Sequence, residues 1–344
     1  MPFGMISSLA NFNPKKAGGG SGVSDTNWVV VGYGSFIAKS SDGNIWSPVG
    51  SKGGFTYGRS VAYAKDGFGG NLWVAVGEGS IISKSTDGNI WTPAGSTGGI
   101  TPAGYGVAYG KDGAGQGLWV AVGGGGLIAK SSDGNNWSAA GSTGGITTNV
   151  NGVAYGKDGL GGNLWVAVGQ GSIIAKSSNG NTWSAAGSVG GITTTGSGVA
   201  YGKDGTGAGL WVAVGQGSII AKSTDGNTWT PAGNVGGITT SGYGVAYGKD
   251  GAGQGLWVAV GGGGLIAKSS DGNNWSAAGS VGGITTSGRG VAYGKDGAGQ
   301  GLWVAVGQGG LIAKSSDGNL WSPAGNVGGI TTAGLGVAFN NEIV

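Results

Sequence analysis

Leu118-Trp119-Val120-Ala121-Val122, four glycines (123–126), Leu127-Ile128-Ala129-Lys130-Ser131, then Asp133-Gly134-Asn135-Asn136-Trp137: this stretch decides the fold. The first apolar run is bounded by glycines and too short for a helix, as expected of a strand buried on both faces. The glycines make a hairpin turn, and Leu127 to Ser131 reads as its return strand. Asp133-Gly134 is a turn dipeptide of the kind that joins antiparallel strands, here leading into Asn135 to Ala140. Upstream, Gly106-Val107-Ala108-Tyr109-Gly110 reads as a further short strand, separated from Leu118 by the polar turn Lys111 to Gly117. Four antiparallel strands, here labelled A to D, therefore occupy one stretch.

The same stretch returns along the chain. Trp28, Trp73, Trp119, Trp165, Trp211, Trp257 and Trp303 mark strand B, and Trp46, Trp91, Trp137, Trp183, Trp229, Trp275 and Trp321 mark strand D. The spacing is 46 residues throughout, except 45 at the first step of each series, and all 14 tryptophans belong to the pattern. A supersecondary unit of this size repeated seven times predicts an all-β, seven-bladed propeller of four-stranded antiparallel blades. A parallel β-helix is the rival, but its rungs are shorter and poorer in hairpin turns. Helix signals are absent: no window shows a 3.6-residue apolar period.

The ends of the pattern predict how the ring closes. Gly336-Val337-Ala338-Phe339 is a strand A with no strand B after it, and Trp28 to Val31 is a strand B with no clear strand A before it. The C-terminal strand is expected to complete the N-terminal blade, covering an otherwise exposed edge. A second register, with Ile6 to Phe12 as the first strand A, stays open. Residues 1–26 are expected to be an extension with a Gly18-Gly19-Gly20-Ser21-Gly22 linker, and residues 27–344 the propeller.

Composition narrows the function. Gly supplies 87 of 344 residues, without collagen's period of three and at fixed turn positions. Charges are sparse, 18 basic against 15 acidic, with no basic stripe, so nucleic acid is not an expected partner. There is no Cys for disulfide or thiolate chemistry and no His as base or metal ligand. The N-terminus lacks the charged and apolar regions of a signal peptide, and no apolar run is long enough for a membrane span. A soluble protein, cytoplasmic or virion-associated, is the expectation.

Each turn between strands C and D carries Ser-x-Asp-Gly-Asn-x-Trp, as at Ser131, Asp133, Gly134, Asn135 and Trp137. The series resembles the Asp-box (BNR) repeat, Ser-x-Asp-x-Gly-x-x-Trp, of sialidase and photosystem II assembly-factor propellers. The likeness covers residues 27–344, in a shortened form with Trp four residues after the acid. It implies a structural role for Asp42, Asp87, Asp133, Asp225, Asp271 and Asp317, with Asn179 in the fourth copy, and packing between blades for Trp46, Trp91, Trp137, Trp183, Trp229, Trp275 and Trp321. One acid per turn falls far short of the oxygen ligands that Ca²⁺ takes. No metal site and no cofactor are expected.

The resemblance also prompts a sialidase-like site, which needs an arginine triad. The chain has only Arg59 and Arg289, and its glutamates are Glu78 and Glu342. Paired carboxylates of the glycosidase type are not in evidence, and Ser or Thr has no His to serve as base. A non-enzyme is expected, with a degenerate glycoside hydrolase as the remote alternative.

Binding residues are sought where the copies differ. The position just before strand A varies most: Arg59, Tyr105, Asn151, Ser197, Tyr243, Arg289, Leu335. The turn between B and C varies next, with Tyr33, Glu78 and Gln170 among its residues. In an up-and-down blade both positions emerge on one face, the first nearest the central channel. Arg59, Tyr105, Asn151, Tyr243, Arg289, Tyr33, Glu78 and Gln170 are the candidate ligand contacts, since loops on a rigid scaffold gather binding residues. The expected function is a binding module, lectin-like or protein-binding. Repeated sites would favour multivalent ligands. The alternative is a structural or display protein, such as a virion or phage-fibre decoration, assembled into a larger complex.

Overall fold

In the computed structural model, residues 27–340 are described, except 55, 67 and 68. They form seven four-stranded antiparallel sheets. Blade three runs Gly104–Lys111 (A), Gly117–Gly123 (B), Ile128–Ser131 (C) and Ser138–Ala139 (D), in that spatial order. Consecutive blades touch through their A strands, and the seventh (Gly288–Lys295) touches the strand of the first, so the ring is closed. No helix among the described residues is long and apolar enough to cross a membrane.

Closure follows the expected route. Blade one is built from Gly334–Phe339 as its strand A, beside Trp28–Gly32, Phe36–Ser40 and Ser47–Pro48. Trp28 pairs with Phe339 and Val30 with Val337. The competing register at Ile6 to Phe12, the predicted linker and Glu342 lie outside the described residues. Strand D is shorter than expected: residues 135–137 are turn and only Ser138 and Ala139 pair with strand C. Hydrogen bonds within the turn occupy the backbone of Asn135 and Asn136 and leave strand D little to pair.

The core lies between blades. Strand B is buried on both faces because one face meets the blade before and the other the blade after. Leu72, Val74 and Val76 of blade two pack against Trp119, Ala121 and Trp137 of blade three. The same arrangement joins blade seven to blade one, where Leu302, Val304 and Val306 meet Trp28 and Trp46. Each strand-B tryptophan also stacks obliquely on the strand-A aromatic of its own blade, as Trp165 does on Tyr155 at 5.0 Å. Tyr155 in turn covers Gly110 of the preceding blade, where a Cβ would lie 2.2 Å from the ring. Glycine inside a strand costs about 0.5–1 kcal/mol in chain entropy, and here it admits the neighbouring ring.

Two seams of hydrogen bonds bind blade to blade. On the inner side Trp165 Nε1 donates to the Lys111 carbonyl at 2.9 Å, and Trp28 Nε1 to that of Lys295 at 2.8 Å. Trp119 Nε1 is buried without a partner, at the interface where Ala64 stands in place of the glycine seen at 110. On the outer rim Gly95 N donates to Asn135 Oδ1 at 3.0 Å, and Ser96 Oγ to the Trp137 carbonyl at 2.9 Å. The outer seam also spans the closure, where Gly325 N donates to Asn44 Oδ1 at 2.8 Å.

The turn between strands C and D is self-contained. Asp133 Oδ1 accepts from Asn135 N and Asn136 N, each at 2.8 Å, and from Ser131 Oγ at 2.9 Å. Gly134 has φ 69° and closes the loop, its Cα facing Leu72 of the neighbouring blade. Its carbonyl accepts from Trp137 Nε1 at 3.0 Å. Glycine directly after the acid is thus demanded twice, by the left-handed backbone and by the neighbour. Asn179 makes the same bonds, accepting from Asn181 N and Thr182 N at 2.9 Å, because one carbonyl oxygen suffices.

These carboxylates carry an acid dependence. Partial burial pushes the Asp133 carboxyl up, but the amides of Asn136 and Asn135, the Asn136 side chain and Ser131 outweigh it and hold it at about 2. Asp271 is likewise held at about 2, with Asn274 supplying the side-chain bond. A carboxyl lowered on folding contributes stability that is present above its unfolded value and lost as pH falls through the folded one. The melting temperature is therefore expected to drop between about pH 4 and about pH 2. A variant with Asp133→Asn and Asp271→Asn, the residue type already at 179, should lose less over that range. Identical acid limbs in parent and variant would refute this assignment.

Candidate functional site

All seven variable positions of the strand-A series share a structural peculiarity. In blade two the register passes from Gly58 opposite Gly77 to Ser60 opposite Val76, so Arg59 has no partner across the ladder. Tyr105, Asn151, Ser197, Tyr243 and Arg289 are skipped in the same way, and Leu335 in the closing strand. Each is the extra residue of a β-bulge, a device that re-aims a side chain. These residues were expected to precede strand A; the structure places them as its second residue, because pairing resumes before the bulge.

The seven bulge residues converge on the axis. Together with Val61, Val107, Val153, Val199, Val245, Val291 and Val337 they line a single central cavity of ≈ 340 Å³. Expected as repeated sites around a ring, they line one cavity with walls of five residue types. Arg289 and Arg59 flank Leu335; Tyr243 and Tyr105 follow on either side; Ser197 and Asn151 complete the circle. Asn151 Nδ2 donates to the Gly196 carbonyl at 2.9 Å, which fixes its amide.

Both arginines lie over tyrosines of adjacent blades. The Arg289 guanidinium carbon is 4.2 Å from the Tyr243 ring centre, and that of Arg59 is 5.2 Å from Tyr105. Such contacts are worth about 0.5–1 kcal/mol at exposed sites and more when desolvated. Arg59 is also ion-paired with Glu78. The Nε of each arginine is buried without a hydrogen-bond partner. The residues lining the cavity include no carboxylate.

The candidates from the B–C turns sit farther out. Glu78 reaches inward only as partner of Arg59, while Tyr33 packs edge-on against Tyr57 at 4.9 Å and Gln170 is exposed. None of the three lines the cavity. Ser197 and Leu335 do line it, although neither was among the candidates. The same variation between copies marks them in the sequence. Among the described residues no cluster of three His, Cys, Asp or Glu is placed to hold a metal.

No known protein family matches the chain, and no curated protein matches it. Solved structures do. The chain resembles YCF48 bound to D1 peptide, with a TM-score of 0.52 and 17% identity over 77% of this chain and 80% of that one. It resembles YCF48 from Cyanidioschyzon merolae with a TM-score of 0.54 and 16% identity, over 77% and 84%. The computationally designed Ika8 protein reaches a TM-score of 0.57 at 11% identity, over 92% and 95%. At these identities the likenesses establish the fold, a β-propeller.

Proposed function

We propose that this chain is a non-enzymatic binding module that takes a polypeptide segment at the mouth of its central cavity. The carrying observation is the bulge: in every blade it turns the most variable residue of the repeat toward one shared site. A scaffold whose copies vary most at the residue facing the axis has the form of a recognition surface. A peptide ligand has two supports. The structurally similar YCF48 has been solved with a bound peptide. Both cavity tyrosines have a face occupied by a guanidinium, which removes that face from stacking on a sugar. The absence of carboxylates from the described lining argues against glycoside hydrolysis there.

The purified chain should select ligands from a random peptide library and give no consistent signal on a glycan array. Tyr105→Ala with Tyr243→Ala should weaken the selected peptides by at least about tenfold, with the thermal melt unchanged. A structural or display role predicts no ligand in either screen. A lectin predicts glycan binding lost in the same variant. Hydrolysis of a fluorogenic sialoside above background would overturn the non-enzymatic reading.

A further inference from the structure

The two arginines occupy equivalent bulges yet differ electrically. Arg59 is neutralised by Glu78 of its own blade. The residue equivalent to Glu78 beside Arg289 is Gln308, which carries no charge and is exposed. Arg289 is half-buried, its Nε has no acceptor, and no ion pair to it exists among the described residues. Its fixed contact is the Tyr243 face at 4.2 Å. A guanidinium is charged at every accessible pH, and a partly desolvated charge without a counter-ion is costly until one is supplied. Tyr243 already holds the planar fork, so little rotamer freedom remains to be lost on binding. We propose that Arg289 is the anchor for an acidic side chain of the bound polypeptide, whereas Arg59 is held out of that role by Glu78. The cavity lining is free of carboxylates that would compete, and Leu335 beside Arg289 offers an apolar contact to a neighbouring ligand residue. This rests on the peptide-binding reading and names the chemistry it selects.

The test uses the full chain and two capped heptapeptide libraries, identical except for a fixed central Glu in one and Gln in the other. Binders are expected from the Glu library. Arg289→Gln should weaken them about ten- to hundredfold, the value of a charge-assisted hydrogen bond to a partly buried ion. Arg289→Lys should recover only part, since the ammonium lacks the fork. Glu78→Gln releases Arg59 and should strengthen binding, and in the Arg289→Gln background it should restore part of the loss. A gain of affinity cannot come from damage to the fold, so this arm stands even if Arg289→Gln proves unstable. Equal selection from the two libraries, or binders indifferent to both Arg289→Gln and Glu78→Gln, would overturn the anchor and leave peptide binding intact. No binder from either library would overturn both. Sugar acids that displace the peptides and bind alone with higher affinity would transfer the site to a carbohydrate ligand and refute the proposal.

Discussion

Deleting residues 334–344 should lower the melting temperature by about 10 °C or more, or prevent folding to a monomer. The deletion removes strand A of blade one and with it the ladder from Trp28 to Gly32. Phe339 stacks on Trp28 at 4.8 Å and Val337 is buried in the cluster between blades seven and one. Losing those two side chains alone costs about 5 kcal/mol on large-to-small substitution scales. The remainder is an edge problem. Trp28-Val29-Val30-Val31 would present unpaired amides on an apolar strand, a template for pairing with a second molecule. Scattering should therefore reveal association as well as thermal destabilisation. A circular permutant with residues 334–340 joined ahead of residue 27 should fold as a monomer, since it keeps every blade contact. An unchanged melt after the deletion would show that the ring does not depend on its closing strand.

Trp165→Ala is expected to cost about 3–5 kcal/mol, the range for removing a fully buried aromatic. The side chain is 0% exposed, lies between blades three and four, and donates its indole N–H to the Lys111 carbonyl. Packing should dominate over that hydrogen bond. Trp119 supports this ranking, because it stays completely buried although its Nε1 has no acceptor. Trp165→Phe, which keeps most of the packing and loses the donor, should accordingly cost less than half as much as the alanine variant. Chemical denaturation of the two variants decides the matter, and equal losses would assign the interface to the hydrogen bond instead.

Much of this fold is legible in the sequence because its strongest signals are local and repeated. Strand B is apolar at successive positions, since both of its faces meet other blades, and tryptophan marks it in every copy. The closure is legible from the strand-A pattern at Gly336 to Phe339, which pairs with the strand of Trp28. Other features depend on relations that no single copy displays. A bulge adds one residue without disturbing the alternation on either side, so Arg59 and Tyr105 read as loop residues before the strand. The pairing of Arg59 with Glu78 links two variable positions 19 residues apart and depends on the register that only the folded blade sets. The convergence of seven side chains on one cavity requires the ring itself, which is why they read as repeated sites. Ser197 and Leu335 line the cavity by the same positional rule as the other five.

The closing strand has a consequence for how the molecule is made. Asn27 and Asn340, which meet beside that ladder, are 313 residues apart in the chain. At about 5–20 residues per second, a ribosome needs roughly 15–60 s to span that interval. Blades two to seven can assemble as they emerge, each against the one before. Blade one waits as a three-stranded sheet with Trp28 to Val31 along its open edge until the last strand is released. The nascent protein thus passes through an incomplete circle with two apolar flanks, and a chaperone able to shield them would act during synthesis, before the native ring exists to be protected.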